Sequence, residues 1–299
     1  VIENNYLSNI TLNNASELSV KNNRGNSSPS SYATNFRLDT CMNLTLTGNR
    51  LQRLQLYSDT NVVLDNNNFY YYSNYDDNIK NIYLKSCHNF TFNNNYLYQY
   101  SDRYTSSVYI EYSSLGVISG DSIINNSWRS NPRGIQIQYS RDIKILDNYI
   151  YHGNSGGQSY YGVYFLHNSG TNLVKGNYIA VHPNTTGGSS IGLYNLSCQD
   201  DLHIDSNIIK NCNTGVLSSS SMGDRLIFNR NTLDDIISTG IYIQGDSGVY
   251  TDNIINSIVG GNGVLIDGSG GANVSRNKIL GVTAGSGIVV DAPNSLVAN

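Results

Sequence analysis

The sequence predicts an all-β chain folded as a single-stranded right-handed parallel β-helix, a solenoid of about 11–12 coils with an asparagine ladder. Three observations predict it. The stretch Ile143 to Ile150 reads Ile-Lys-Ile-Leu-Asp-Asn-Tyr-Ile, with an apolar residue three before Asn148 and another two after it. The same placing recurs at Asn49, Asn67, Asn95, Asp121, Asn177, Asn207, Asn231, Asn253 and Asn277, at steps of 18 to 30 residues. Between these positions fall short alternating runs opened by glycine, such as Gly134-Ile-Gln-Ile, Gly162-Val-Tyr-Phe, Gly240-Ile-Tyr-Ile and Gly263-Val-Leu-Ile. Each reads as a turn followed by a strand. Finally, no segment keeps a helical period. Strands this short cannot close a core alone and must stack on their neighbours.

The ladder residue is expected at a sharp bend where the backbone is left-handed, a conformation asparagine tolerates. Its amide is placed to hydrogen-bond the equivalent residue one coil away, at about 4.8 Å. Asp121 is the exception, and an ionised carboxylate there accepts without donating. The ladder is read as structure and not as catalytic machinery.

Taken in order, residues 1–48 hold two irregular coils, with bends at Asn5 and Asn23 and a polar loop over 26–31. From 49 to 207 most coils are long, with the extra residues just after the ladder position. The insertions are rich in tyrosine, as in Tyr70-Tyr-Tyr-Ser-Asn-Tyr and Tyr98-Gln-Tyr-Ser-Asp-Arg-Tyr. From 207 onward the coils shorten to 22 or 24 residues and the loops turn to glycine and serine. Residues 1–299 are thus expected to form one β-helix domain. Asn5 already lies in a ladder motif and Leu296-Val-Ala-Asn299 opens another, so the chain is expected to be a segment of a longer one.

Charged residues make up 13% and the net charge is -4, which argues against nucleic acid and anionic membranes as partners. No apolar run approaches the ~20 residues of a membrane helix, so no membrane insertion is expected. The four cysteines, Cys41, Cys87, Cys198 and Cys212, have no metal-ligand spacing and are expected as buried free thiols. Cys41 and Cys87 fall in one column two coils apart, too far for a disulfide. The Asn-X-Ser/Thr sequons are no more numerous than this composition yields by chance.

Alternation splits the glycine-led strand into two faces. Inward go pairs such as Ile82/Leu84, Val108/Ile110, Ile135/Ile137, Val163/Phe165 and Ile191/Leu193. Outward go Arg37/Asp39, Gln55/Tyr57, Tyr83/Lys85, Tyr109/Glu111, Gln136/Gln138, Tyr164/Leu166 and Gly192/Tyr194. Function on a rigid scaffold concentrates in such insertions, so the working face is expected over residues 67–207. Tyrosine faces suit sugar C–H surfaces, which makes Tyr57, Tyr83, Tyr164, Gln136, Gln138, Arg103 and Arg133 candidate polysaccharide-binding residues. A bland reading competes: aromatic and β-branched residues suit exposed strands, and a Lys85–Glu111 ion pair would be a minor surface contact.

Two chemistries fit the candidate catalytic residues Lys85, Glu111, Tyr109 and Asp102. A glycosidase needs two carboxyl groups, for which Glu111 and Asp102 are the pair. A lyase needs a base and a cation against a uronate carboxylate, which Lys85, Tyr83, Tyr109, Arg103 and Arg133 supply. No metal site is expected and no cofactor is required. Asp267 and Asp291 stack on adjacent coils where a Ca2+ ion would fit, although two exposed acids tolerating each other is the simpler account.

The strand Gly-Ile-x-Ile followed by Ile-x-Ile-x-x-Asn-x-Ile resembles the pectate-lyase-like right-handed β-helices. That superfamily includes polysaccharide lyases, polygalacturonase-type hydrolases, alginate epimerases, NosD-like repeat proteins and phage tailspike depolymerases. The resemblance covers nearly the whole chain, but its motif is the coil and not the chemistry. Gln199-Asp200-Asp201 is similar to one polygalacturonase element. The accompanying Asn-Thr-Asp, Gly-His-Gly and Arg-Ile-Lys elements are absent, as is the Asp-Pro-His-Glu of alginate epimerases. The resemblance implies an extracellular, cell-surface or virion-borne protein that binds and degrades polysaccharide. The alternative is a non-catalytic structural or adhesive surface or filament protein. Outward apolar residues Val63, Val117, Leu173, Ile227 and Val249 would then mark a contact in a homo-oligomer such as a trimer, or with a larger assembly.

Overall fold

A computed structural model describes the chain except residues 26–34, 74–78, 102–104, 128–130, 154–158, 184–187, 220–224, 246, 269 and 299. The described residues form strands and turns with no helix, and every strand pairing is parallel. Among the described residues, no helix is therefore long and apolar enough to cross a membrane. One coil shows the plan. Ser114–Ser119 lies on the ladder sheet, Ser122–Asn125 on a second face and Arg133–Gln138 on a third. The next coil repeats it with Arg141–Leu146, Tyr149–His152 and Tyr160–Leu166. Stacking the ladder strands gives a 13-stranded sheet. Single coils expose unpaired backbone and half a core, so each is stable only between its neighbours.

The core is the inward columns expected from alternation. Leu64, Phe92, Ile118, Ile145, Val174, Ile204 and Phe228 stack on the ladder sheet, and Leu84, Ile110, Ile137 and Phe165 on the third face, all fully buried. The ladder is continuous from Asn5 to Asn277. Asn177 shows the bonding: Nδ2 donates to Asn207 Oδ1 at 2.9 Å and to the Ile145 carbonyl at 2.8 Å. Its Oδ1 accepts the Asn148 backbone N–H at 2.9 Å.

One detail of the expected bend is corrected. The left-handed residue is not the ladder asparagine but the residue before it: Asn66 (φ 52), Asn94 (φ 54), Asp147 (φ 53), Asp252 (φ 58), and Gly48, Gly120 and Gly176 where no side chain intervenes. That residue makes the turn, and the ladder amide then points inward to satisfy the backbone groups the turn exposes.

The glycine column has a packing cause. A Cβ on Gly162 would stand 2.5 Å from the Gly192 carbonyl oxygen and 2.5 Å from Ile179 Cγ2. Gly134, Gly162, Gly192, Gly215, Gly240 and Gly263 let the third face turn tightly against the second. Two earlier coils place Asn81 and Ser107 there, both buried; Asn81 Nδ2 donates to the Tyr98 carbonyl at 3.2 Å and Ser107 Oγ to Gln99 at 3.1 Å.

Register on the third face holds to Leu166 and then departs from expectation by two residues. Val163 is opposite Leu193, Tyr164 opposite Tyr194 and Phe165 opposite Asn195. Gly192 belongs to the glycine column rather than outward. Asn195 turns inward instead, 1% exposed, and donates to Ser218 Oγ at 3.0 Å. Hydrophobic alternation could not reveal a polar pair buried in the core. The four cysteines are buried and form no disulfide, and the Cys41 and Cys87 corners are separated by Asp59, as the two-coil spacing required.

Candidate functional site

The site lies on the third face, where strands Ile79–Lys85, Thr105–Glu111, Arg133–Gln138 and Tyr160–Leu166 run side by side. Parallel register makes three outward columns. Lys80, Ser106, Arg133 and Tyr161 form the first; Tyr83, Tyr109, Gln136 and Tyr164 the second; Lys85, Glu111, Gln138 and Leu166 the third. The second and third columns are those the sequence predicts. The first is not, because alternation breaks at the bend. Asn81 and Ile82 both turn inward, which leaves Lys80 outside. The missed signal was a spacing: Lys80, Ser106, Arg133 and Tyr161 each stand three residues before a second-column residue.

A cavity of about 220 Å³ opens here, lined by Lys80, Thr105, Ser106, Tyr109, Asn131, Arg133 and Gln136. Lys80 Nζ sits 4.3 Å from the centroids of both the Tyr83 and Tyr109 rings. Burial holds its ammonium below the usual lysine range, partly opposed by the Glu111 carboxylate. Arg133 stacks 4.5 Å over Tyr164 and donates to Gln136 Oε1 at 2.8 Å, a bond shared with Ser106 Oγ at 2.9 Å. Gln136 Nε2 reaches Gln138 Oε1 at 3.3 Å, and Tyr109 donates to the same oxygen at 2.9 Å. Basic groups, amides and hydroxyls thus line the cavity, with no carboxylate among its described lining residues.

Glu111 lies one column away and accepts from the Tyr83 hydroxyl at 2.6 Å. The Lys85–Glu111 pair expected from alternation is not among the ion pairs of the described residues; Lys85 Nζ lies 5.9 Å over Tyr112 instead. Burial, with Glu111 adding to it, pushes the Tyr109 phenol up to about 12, and burial raises Tyr83, Tyr57, Tyr161 and Tyr164 as well. These phenols are hydrogen-bond donors at neutral pH.

The tyrosine faces are not free in the way the sequence suggested. Tyr83 and Tyr109 stack on each other at 5.3 Å and 10°, and Tyr57 meets Tyr83 edge-on at 5.5 Å. Tyr109, Gln136 and Tyr164 point outward yet are only 9%, 6% and 7% exposed. Parallel register spaces equivalent rings about one strand apart, so each ring covers its neighbour. What reaches solvent is edges, hydroxyls and charges. Asp102 and Arg103 lie outside the described residues.

The chain matches the model of the right-handed β-helix region over residues 37–188 and 81–235. It belongs to the right-handed β-helix family. Among solved structures, this β-helix is similar to PfbA, a surface adhesin of Streptococcus pneumoniae, with 12% identity over 96% of this chain and 84% of that one, at a TM-score of 0.66. It is also similar to the periplasmic alginate epimerase AlgG, with 12% identity over 94% of this chain and 75% of that one, at a TM-score of 0.49. Likeness at this identity is likeness of fold. No curated protein sequence matches the chain.

Other surfaces of the β-helix offer less chemistry. A larger hollow of about 430 Å³ lies on the ladder sheet against Leu115, Val117, Lys144, Leu173 and His203. Its wall is mainly apolar, and the hydrogen bond within it is that of the Thr171 backbone N–H to Asp142 Oδ1 at 3.0 Å. The third-face cavity is therefore the candidate site despite its smaller size. Asp200 is structural, its carboxylate accepting the Gly170 N–H at 2.7 Å. Asp267 and Asp291 stand opposite each other, and no cluster of three metal-ligating side chains exists among the described residues.

Proposed function

We propose that this β-helix binds and cleaves an acidic polysaccharide laid across the third face, with a uronate carboxylate held by Arg133 and its sugar ring turned toward Lys80. The observation that carries the reading is this pair of basic side chains in a cavity with no carboxylate among its described lining residues. Two cations two coils apart, about 10 Å, bracket one sugar unit. Gln136, Gln138 and the tyrosine hydroxyls address the remaining hydroxyl groups, and exposed ring edges add apolar contact. The reading takes the chain as a secreted, cell-surface or virion-borne protein, which the likeness of its fold to a surface adhesin supports.

The cleavage this site suits is β-elimination. Arg133 neutralises the carboxylate and so acidifies the adjacent C5–H. The Lys80 amine, favoured in its neutral form by burial, takes that proton. The C5–H electron pair forms the C4=C5 double bond, the C4–O4 bond breaks, and the departing oxygen takes the Tyr109 proton. Tyr109 acts as acid rather than base, because its phenol is held protonated. Glu111 anchors the Tyr83 ring on which Lys80 rests and is a positioning residue in this scheme. The Glu111–Asp102 acid pair belongs to the rival hydrolytic scheme.

The test is incubation with acidic and neutral polysaccharides, following retention, chain length and the ultraviolet absorbance of the unsaturated product. Elimination predicts shortening with rising absorbance on uronate polymers only. Arg133→Ala then loses retention, while Lys80→Ala retains polymer without absorbance. Preference for neutral polymers would overturn the reading. Shortening without absorbance would move the chemistry to Glu111.

A second reading, a non-catalytic adhesive surface, is favoured by the mutual stacking of the tyrosines. Tyr70 with Tyr98, Tyr72 with Tyr100 and Tyr112 with Tyr139 form rigid exposed stacks at 4.8 to 5.1 Å. Retention without any shortening supports it.

A further inference from the structure

The amide ladder contains one carboxyl rung, and its surroundings specify its protonation. In each flanking rung the side-chain nitrogen donates twice. Asn95 Nδ2 reaches Asp121 Oδ1 at 3.0 Å and the Leu64 carbonyl at 3.0 Å. Asn148 Nδ2 reaches Asn177 Oδ1 at 2.9 Å and the Ile118 carbonyl at 2.9 Å. Asp121 has no such nitrogen. Its Oδ1 accepts the Asn95 N–H at 2.5 Å, and its own N–H donates to Asn148 Oδ1 at 2.9 Å. By the repeat of the ladder, its second oxygen occupies the place of Nδ2, facing Asn148 Oδ1 and the Phe92 carbonyl. Both are acceptors. Ser119 Oγ donates to that carbonyl at 3.3 Å.

Asp121 is 2% exposed, so an ionised second oxygen there would face lone pairs without solvent to relieve them. The other carboxylate of a corner column, Asp59, shows the opposite arrangement. It is fully buried, and its two oxygens accept N–H groups from Cys41 at 2.6 Å and Tyr57 at 3.0 Å. The two donated bonds favour the ionised form at Asp59, against burial that pushes its carboxyl up to about 6, whereas the acceptors around Asp121 favour a carboxylic acid.

We propose that Asp121 is a protonated rung whose O–H closes the ladder to Asn148 Oδ1, between the coil carrying Arg133 and the coil carrying Tyr164, so that rising pH weakens the β-helix at that seam. This holds whatever the third face binds. Burial is the main cause pushing the Asp121 carboxyl up, to about 7, with the Asn95 bonds opposing it and the Asp65 carboxylate adding to it. Asn95, Asn148, Ser119 and the Phe92 carbonyl are its uncharged neighbours, and Asp65 is the charged group that bears on it. In the unfolded chain the carboxyl titrates at its ordinary lower value. Between that value and about 7 the folded chain holds the extra proton, so its stability falls with rising pH through this window and levels off above it.

The experiment measures urea midpoints of the wild type and Asp121→Asn from about pH 4 to about pH 9, with infrared detection of a protonated carboxyl band. The expected result is a midpoint that falls with pH relative to the variant and drops below it at the alkaline end. A carboxylic-acid band should persist near neutral pH in the wild type and be absent from Asp121→Asn. Parallel profiles or the absence of that band would overturn the proposal. So would failure of Asp121→Asn to fold, since an amide should complete the ladder. Asp59→Asn provides the contrast, with a midpoint below the wild type above about pH 6, where Asp59 is ionised, because its new amide nitrogen would face a backbone N–H.

Discussion

The coils that carry Lys80 to Tyr164 and those after Asn207 are built on one scaffold and present different surfaces. Both halves have the same ladder geometry, with Nδ2 to the next Oδ1 at 2.9 Å in Asn177 and 2.8 Å in Asn253. Both use the same buried aliphatic stacks, and the same corner column, filled by Asn81 and Ser107 in the first two coils of the site and by glycine from Gly134 onward. In the outward columns the likeness stops. The column of Lys80 and Arg133 continues as Ile191, Thr214 and Thr239, and the column of Tyr83 and Tyr109 as Leu217, Tyr242, Leu265 and Val289. The cations are gone. Inward positions are constrained by the stack above and below, whereas outward positions can change coil by coil, which is how one solenoid carries both a plain rod and a site.

If the scaffold is uniform, Asn177→Ala and Asn253→Ala should cost similar stability, about 3 kcal/mol each, by stranding a buried carbonyl and a buried N–H. Denaturant titration of both variants checks this. A much smaller loss at Asn253 would mean the C-terminal coils are held differently.

The glycine column gives a sharper contrast. A Cβ at Gly192 would overlap Ile209 Cγ2 and lie 2.7 Å from the Gly215 carbonyl oxygen, while one at Gly287 meets nothing within 4 Å. Gly192→Ala should therefore lose about 2 kcal/mol by overpacking and Gly287→Ala almost nothing, measured as shifts in thermal midpoint.

The outward columns should behave in reverse. Arg133→Ala should leave folding nearly unchanged and reduce retention on acidic polysaccharide at least tenfold, read by affinity electrophoresis at fixed salt. The smallest effect is expected for Tyr83→Phe, which removes only the bond to Glu111. Polymer retention should stay within a few-fold, while cleavage falls more because the Lys80 platform loosens. An equal loss in both would mean that Tyr83 contacts substrate directly.

By itself the sequence determined the architecture: the placing of Asn148 and its equivalents, the Gly-led runs and the inward aliphatic pairs all follow from stacking one coil on the next. A periodic constraint leaves a periodic trace. It also marked Tyr83, Tyr109 and Gln136 as outward on adjacent coils and named Arg133 as a candidate cation. Three things only the tertiary structure decided. The bend at Asn81 breaks alternation and brings Lys80 onto the face. The register change after Leu166 turns Asn195 inward. Stacking of Tyr83 on Tyr109 converts ring faces into ring edges. Each depends on contacts between coils some 23 to 30 residues apart, where a local pattern holds no information about which atoms meet.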